Sequence, residues 1–322
     1  MSEHTEQERV ILPAEVGRPL PSASDVTVHG NLLAESPVLL HSLHGFLDAG
    51  NGPVLASEHL LSLLPHRLIA SFDSDAFLDY RARRPRMTFD ADHYTGVEMP
   101  EIRLYEVTDL DGTPFLLLTG PEPDYRWNAF LDSSIRLIEA AGVRLVIGMG
   151  AIPWPTPHTR PFSVSAHATD RSHLVGHRPW VGQVEFPGHI GGVLEWRLGQ
   201  HHVPAMGFAV HVPHYLAQYP HPRVAMRLLQ CVADATGLRL PVAELEPAAQ
   251  RAEQEIAGYV ERSPELAALV GALETQHDGL VAQRELGSAS PAADVPTAEE
   301  IGAQIEEFLA DLERRGREDK QA

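Results

Sequence analysis

The sequence predicts an α/β protein: a mixed, mainly parallel sheet with helices on both faces, followed by a helical C-terminal extension. Three observations carry that reading. Short apolar runs of strand length alternate with segments of helical periodicity, glycine-rich turns join them, and beyond residue 240 only helical periodicity remains.

Residues 1–25 mix prolines, serines and charges with little periodicity, so they are read as a loosely ordered segment and the α/β domain is placed at 26–240. The run PVLLHSL at 37–43 has the length and apolarity of a buried strand. It passes through GFLDAGNG at 45–52 into a helical pattern with Val54, Leu55, His59, Leu60 and Leu64 near one face. Residues 67–72 read as a second strand, and 102–107 and 114–119 flank Asp111-Gly112, a hairpin turn signal. A helix over 125–140 is expected to start on Asp124 as N-cap and to stop at Gly142, with a core strand at 143–148 after it. Residues 181–186 and 203–210 read as further strands around a helix at 193–198. The extension is read as helices over 241–286, with Ser263-Pro264-Glu265 as a helix start, then a linker at 287–296. A last helix and acidic tail fill 297–322, where a capping box at Thr297 precedes the apolar positions Ile301, Ile305, Phe308, Leu309 and Leu312.

Composition narrows the function classes. A net charge of -19 without a basic stripe argues against a nucleic-acid partner. No stretch approaches the roughly 18 apolar residues of a membrane span, and the first residues lack a secretory pattern, so the expectation is a cytoplasmic protein without a membrane partner. A lone cysteine, Cys231, rules out an internal disulfide and is expected on an apolar helix face. The one lysine, Lys320, lies in the charged tail and leaves little scope for Schiff-base or phosphate-loop lysine chemistry.

The residues that suggest chemistry sit where strands would end. Asp48 places a carboxylate after the first long strand, and Asp48 and Asn51 either face a ligand there or shape the turn and cap the helix. GMGAIP at 148–153 lacks the third glycine of a dinucleotide fingerprint and reads as an irregular, proline-stiffened loop. That loop would present Trp154, His158 and Arg160, a guanidinium suited to a small anion beside an imidazole able to move a proton. His211, His214 and Tyr215 in HVPHY are candidates for a pocket rim; no metal is assigned to them, because proline intervenes and no helix-borne HExxH accompanies them. Arg81, Arg83, Arg84 and Arg86 either form internal salt bridges or meet an acidic partner. No nucleophile elbow appears, no catalytic residue is assigned, and no cofactor is implied.

Taken in order, GFLDAG at 45–50, DYRARRP at 79–85, LTGPEPDYRW at 118–127, GMGAIPWPTPHTRP at 148–161 and MGFAVHVPHYLAQ at 206–218 resemble the proteasome assembly chaperone family, in its actinobacterial branch. The resemblance implies a fold like that of purine nucleoside phosphorylases without their activity. It also implies a binding or scaffold role toward a protein client, in a homo-oligomer for which a trimer is the family analogy. The alternative is a nucleosidase, phosphorylase-like hydrolase or small-ligand sensor using a pocket at the strand ends.

Overall fold

The computed structural model describes residues 17–174, 176 and 183–285. The first half contains β1 (Val26–Val28), β2 (Val38–His44), α1 (Gly52–Leu63), β3 (His66–Phe72) and the single turn α2 (Ser74–Phe77). Next come β4 (Arg86–Asp90), β5 (His93–Glu98), β6 (Arg103–Thr108), β7 (Pro114–Pro121) and α3 (Trp127–Ala141). The remainder is β8 (Leu145–Trp154), β9 (Val164–Ala168), α4 (Ile190–Gln200), β10 (Ala205–Pro213), α5 (Pro222–Thr236), α6 (Glu246–Arg262) and α7 (Pro264–Glu285).

Eight strands form one sheet in the order β1-β3-β6-β7-β2-β8-β10-β9. Its centre, β7-β2-β8-β10, is parallel, while β1, β3, β6 and β9 pair antiparallel at the flanks. The sheet is therefore mixed, and its parallel centre fixes one edge at which β2, β7, β8 and β10 all end. Alternation sends successive side chains to opposite faces. Val38 and Leu40 of β2, with Leu145 and Ile147 of β8, join Ala56 and Leu60 of α1 and Val224 and Leu228 of α5 in one core layer. Leu39 and Val146 face the other way, among Phe130 and Ile135 of α3 and Leu194 and Leu198 of α4. Both faces are covered, as the pattern required. Cys231 is buried on α5, in the first of these layers.

Several expectations are corrected. The segment at 148–153 is no irregular loop: β8 continues through it, paired with β10 as far as Trp154 opposite Pro213. Its partnership with β2 stops at Gly148, so beyond that point β8 is flanked on one side only by a ladder, and a proline is tolerated there. Of the strand expected at 181–186, residues 181–182 lie outside the described residues and 183–186 form no strand; the sheet's edge is β9 instead. Asp124 does not cap α3. Arg126 holds the N-cap position at φ 53°, while the Asp124 carboxylate accepts a 2.8 Å bond from the Asp79 N–H and pairs with Arg83. The segment before residue 26 contributes the buried Leu20 and Asp25, the latter taking hydrogen bonds from Ser133. Gly142, at φ 63°, ends α3 as expected, and the Ser263 hydroxyl accepts from the Leu266 N–H at the start of α7. The linker and last helix at 287–322 lie outside the described residues.

β4 and β5 form a separate two-stranded ribbon in which every residue is exposed.

Candidate functional site

The carboxyl edge of the parallel centre brings the turn after β2 beside the ends of β8 and β10. Asp48 bridges Ala151 of β8, whose N–H donates to the Leu47 carbonyl at 3.0 Å. Gly50, at φ 66°, then reaches across the edge: its N–H donates to the Ala217 carbonyl at 2.7 Å and its carbonyl accepts from the His221 N–H at 2.8 Å. Only glycine enters that conformation cheaply. Gly52 serves a different need, because a Cβ there would stand 2.2 Å from Val224 Cγ1, and its absence lets α1 lie against α5.

Asp48 is half-buried, and its Oδ1 is buried without a hydrogen-bond partner among the described residues. Burial pushes its carboxyl up to about 7, against a Val54 backbone hydrogen bond that favours the charged form. Asn51 occupies the N-cap position of α1 at φ 51°, and its side chain makes no capping bond. The turn-shaping role therefore holds for its backbone and not for its amide.

The other candidates pair among themselves. Trp154 stacks on His211, with ring centroids 4.2 Å apart, and His211 Nε2 shares a 2.8 Å hydrogen bond with Ser165 Oγ on β9. Burial holds the His211 imidazole down to about 4, hence neutral. His158 contacts the Tyr215 hydroxyl twice, donating its backbone N–H at 3.0 Å and sharing a 2.7 Å bond through Nδ1. Burial lowers the His158 pKa and pushes Tyr215 up to about 12. His214 is exposed, its ring edge-on to Tyr215 at 5.5 Å. Arg160 points elsewhere. Its guanidinium forks onto Asp278 at 2.8 and 2.6 Å and reaches Glu274 at 3.3 Å, and Thr159 also donates to Glu274, so this segment is strapped to α7. The guanidinium that suggested an anion site is thus neutralised by two carboxylates of its own chain.

The edge therefore gathers the candidates as separate pairs, with Asp48 and Asn51 on one turn and the aromatic and imidazole groups on another. None of them lines a shallow groove of about 210 Å³, which is bordered by His44, Val54, Ser57, Glu101, Arg103 and Tyr105 among others. Among the described residues no group of three or more His, Cys, Asp or Glu side chains is arranged to hold a metal ion. Among the described residues no helix is long and apolar enough to cross a membrane.

Three features escaped the sequence reading. Glu122, buried after β7, accepts from the Phe46 N–H at 3.3 Å and the Ile190 N–H at 2.6 Å, tying the β2 turn to the start of α4; a lone glutamate between prolines gave no signal of that. His221 is 1% exposed, neither ring nitrogen has a partner among the described residues, and burial brings it down to about 4. The third is the ribbon, whose alternating Met87-Thr88-Phe89 was a visible strand signal inside the arginine-rich motif. Of those arginines, Arg83 pairs with Asp124 and Arg86 lies 3.9 Å from Glu98, while Arg81 and Arg84 are exposed.

The sequence model described as PAC2 family matches residues 42–260. Among solved structures, a Mycobacterium tuberculosis protein of unknown function is 42% identical, with a TM-score of 0.78 over 81% of this chain and 93% of that one. A Corynebacterium glutamicum protein of unknown function is 36% identical, TM-score 0.74, over 80% and 99% of the two chains. A Mycobacterium tuberculosis proteasome-assembly chaperone homologue is 29% identical, TM-score 0.66, over 72% and 99%. Comparison with curated proteins gave no match.

Proposed function

This chain belongs to the PAC2 family, and on that premise we propose that it is a self-associating scaffold that binds protein subunits during assembly, acting in the cytoplasm. The observation that carries the reading is its similarity, over 72% of its length, to a proteasome-assembly chaperone homologue. The geometry supports it. His158, Arg160 and His211 are engaged by Tyr215, Asp278 and Ser165, an arrangement that braces a surface more readily than it turns over a substrate. The client class that follows is proteasome subunits. The test is to mix the full chain with separately purified proteasome α and β subunits and to follow particle mass and assembly rate by light scattering. A complex and a changed rate are expected; neither appearing at about tens of micromolar subunit would overturn the reading. The same instrument reads the self-association, for which three subunits is the family analogy.

A second reading, a small-ligand sensor at the carboxyl edge, is favoured by one observation: the polar atoms Asp48 Oδ1 and both ring nitrogens of His221, which have no partner among the described residues. A buried polar group without a partner costs about 1–3 kcal/mol, which a ligand or a bound water would remove. Calorimetry with nucleosides and inorganic phosphate tests it, alongside His221→Phe. If no ligand uses the imidazole, that variant is neutral or stabilising; destabilisation together with measurable ligand binding to the parent supports the sensor.

A further inference from the structure

The groove between α1 and the β6–β7 hairpin contains none of the residues singled out at the carboxyl edge. α1 lends it Val54, Glu58 and Leu61; Arg103 and Tyr105 of β6 form the other wall, with Met99 and Glu101 leading into that strand. Gly120 of β7 makes the arrangement possible. It stands at φ 141°, and a Cβ there would lie 2.3 Å from the Glu101 carbonyl oxygen, so only glycine lets the Glu101 backbone close down on β7 at the groove's border. The lining carries two carboxylates, Glu58 and Glu101, against one guanidinium. That guanidinium is engaged: Arg103 pairs with Glu101 and donates to the Tyr105 hydroxyl at 3.2 Å. His44 adds no positive charge, because burial, helped by the nearby Arg83, holds its imidazole down to about 4. Glu58 is exposed and unpaired among the described residues, which leaves the groove one negative charge in excess.

We propose that this groove binds a small free aliphatic amine, its ammonium at the Glu58 and Glu101 carboxylates and its stem along Val54, Leu61 and Met99. The chemistry of the lining chooses that class. An alkylammonium keeps its proton at neutral pH, as a lysine does, and brings three donors and no acceptor. The groove answers with acceptors: besides the two carboxylates, the Ser57 hydroxyl donates into its own helix, to the Pro53 carbonyl at 3.1 Å, and offers a ligand only its lone pairs. The Tyr105 ring adds a face suited to a cation. An anion would meet a guanidinium already neutralised and the unpaired charge of Glu58. The volume fits as well, since a cavity of about 150 Å³ holds one benzene and this one of about 210 Å³ suits a molecule of roughly six to ten non-hydrogen atoms.

The full chain tests this by calorimetric titration at neutral pH with three probes of one shape: n-pentylamine, n-pentanol and pentanoate. The amine is expected to saturate with a dissociation constant on the order of a millimolar, and the alcohol and the acid at least tenfold more weakly. A chain of charge -19 attracts any cation diffusely, so the variants decide. Glu58→Gln is expected to weaken the amine at least fivefold. E58Q/E101Q leaves Arg103 as the groove's only charge and is expected to reverse the preference, taking pentanoate over pentylamine. Both glutamates are exposed, and circular dichroism identical to the parent shows that the fold is intact. Amine binding no tighter than that of the alcohol overturns the proposal. So does an amine preference that survives in E58Q/E101Q, the result expected if the cation collects elsewhere on the acidic surface. Nα-acetyl-lysine methylamide presents the same ammonium on a peptide; tighter binding of that probe than of n-pentylamine would overturn the free amine in favour of a lysine side chain. No protein subunit enters these measurements, so failure of the client reading and failure of the amine site are separate results.

Discussion

The carboxyl edge and the β4–β5 ribbon are opposites in how their side chains are used. At the edge, groups with attractive chemistry are engaged within the chain: Trp154 on His211, His158 on Tyr215, Arg160 on Asp278. On the ribbon, chemically plain side chains such as Met87, Phe89 and Val97 face water. Three of the edge's attractive groups are thus engaged by the chain itself, while the ribbon's apolar side chains lie exposed.

The largest expected departure comes from the packing beneath the edge. Gly52→Ala forces a methyl against Val224 and should cost about 2–3 kcal/mol in chemical denaturation. A cost near zero would mean that α1 and α5 can separate freely.

The pH profile comes next. Buried His211 and His221 are held down to about 4 and His41 to about 3, from 6.5, mainly by burial. The unfolded chain then binds more protons than the folded one below 6.5. Their contribution is complete above that pH and is lost as pH falls toward 4 and then 3, by about 3 kcal/mol for His211 or His221 and about 5 kcal/mol for His41. Asp48 has the opposite sign. Its folded pKa of about 7 exceeds the usual 3.8, so its stabilising effect is present below 3.8 and fades as pH rises to 7. Melting across pH 4–8 should show stability falling toward acid, since histidines outnumber this one carboxyl; a flat profile would contradict the burial of the imidazoles.

Arg160→Ala should act locally. The arginine holds the Asp278 carboxyl down to about 2, so the strap persists until pH falls from about 4 through 2. Loss of the guanidinium should raise amide exchange in α7 while β8 and β10 keep their protection. Exchange confined to the candidate turn with α7 unchanged would return Arg160 to a ligand role.

The smallest stability effect belongs to the ribbon. Phe89→Asp removes an exposed ring and should change unfolding free energy by no more than about 0.5 kcal/mol, measured by chemical denaturation. A large loss of stability in the monomer would make the ribbon part of the body's architecture.

Legibility in the sequence followed the same division. β2, β6, β7, α3, α4 and β10 were visible because each carries one clear periodicity, and the Asp111-Gly112 turn and the Gly142 stop are local chemistry. β8 past Gly148 was misread because its prolines are tolerable only where one neighbouring strand has ended, a tertiary fact. β9 was missed although Val164, Ala166 and Ala168 alternate inward, since small residues make a weak apolar signal. Arg160 looked free because its partners lie on α7, more than a hundred residues later.

The Gly50 clasp has a consequence in time. It joins the β2 turn to residues 217 and 221, and β8 must sit between β2 and β10 before the edge it spans exists. Such distant contacts close late, whereas a hairpin like Arg86 to Glu98 needs only its own neighbours and forms in about microseconds. The ribbon is thus an early element on a slow body. During synthesis its apolar face is on display before the two-layered core is complete.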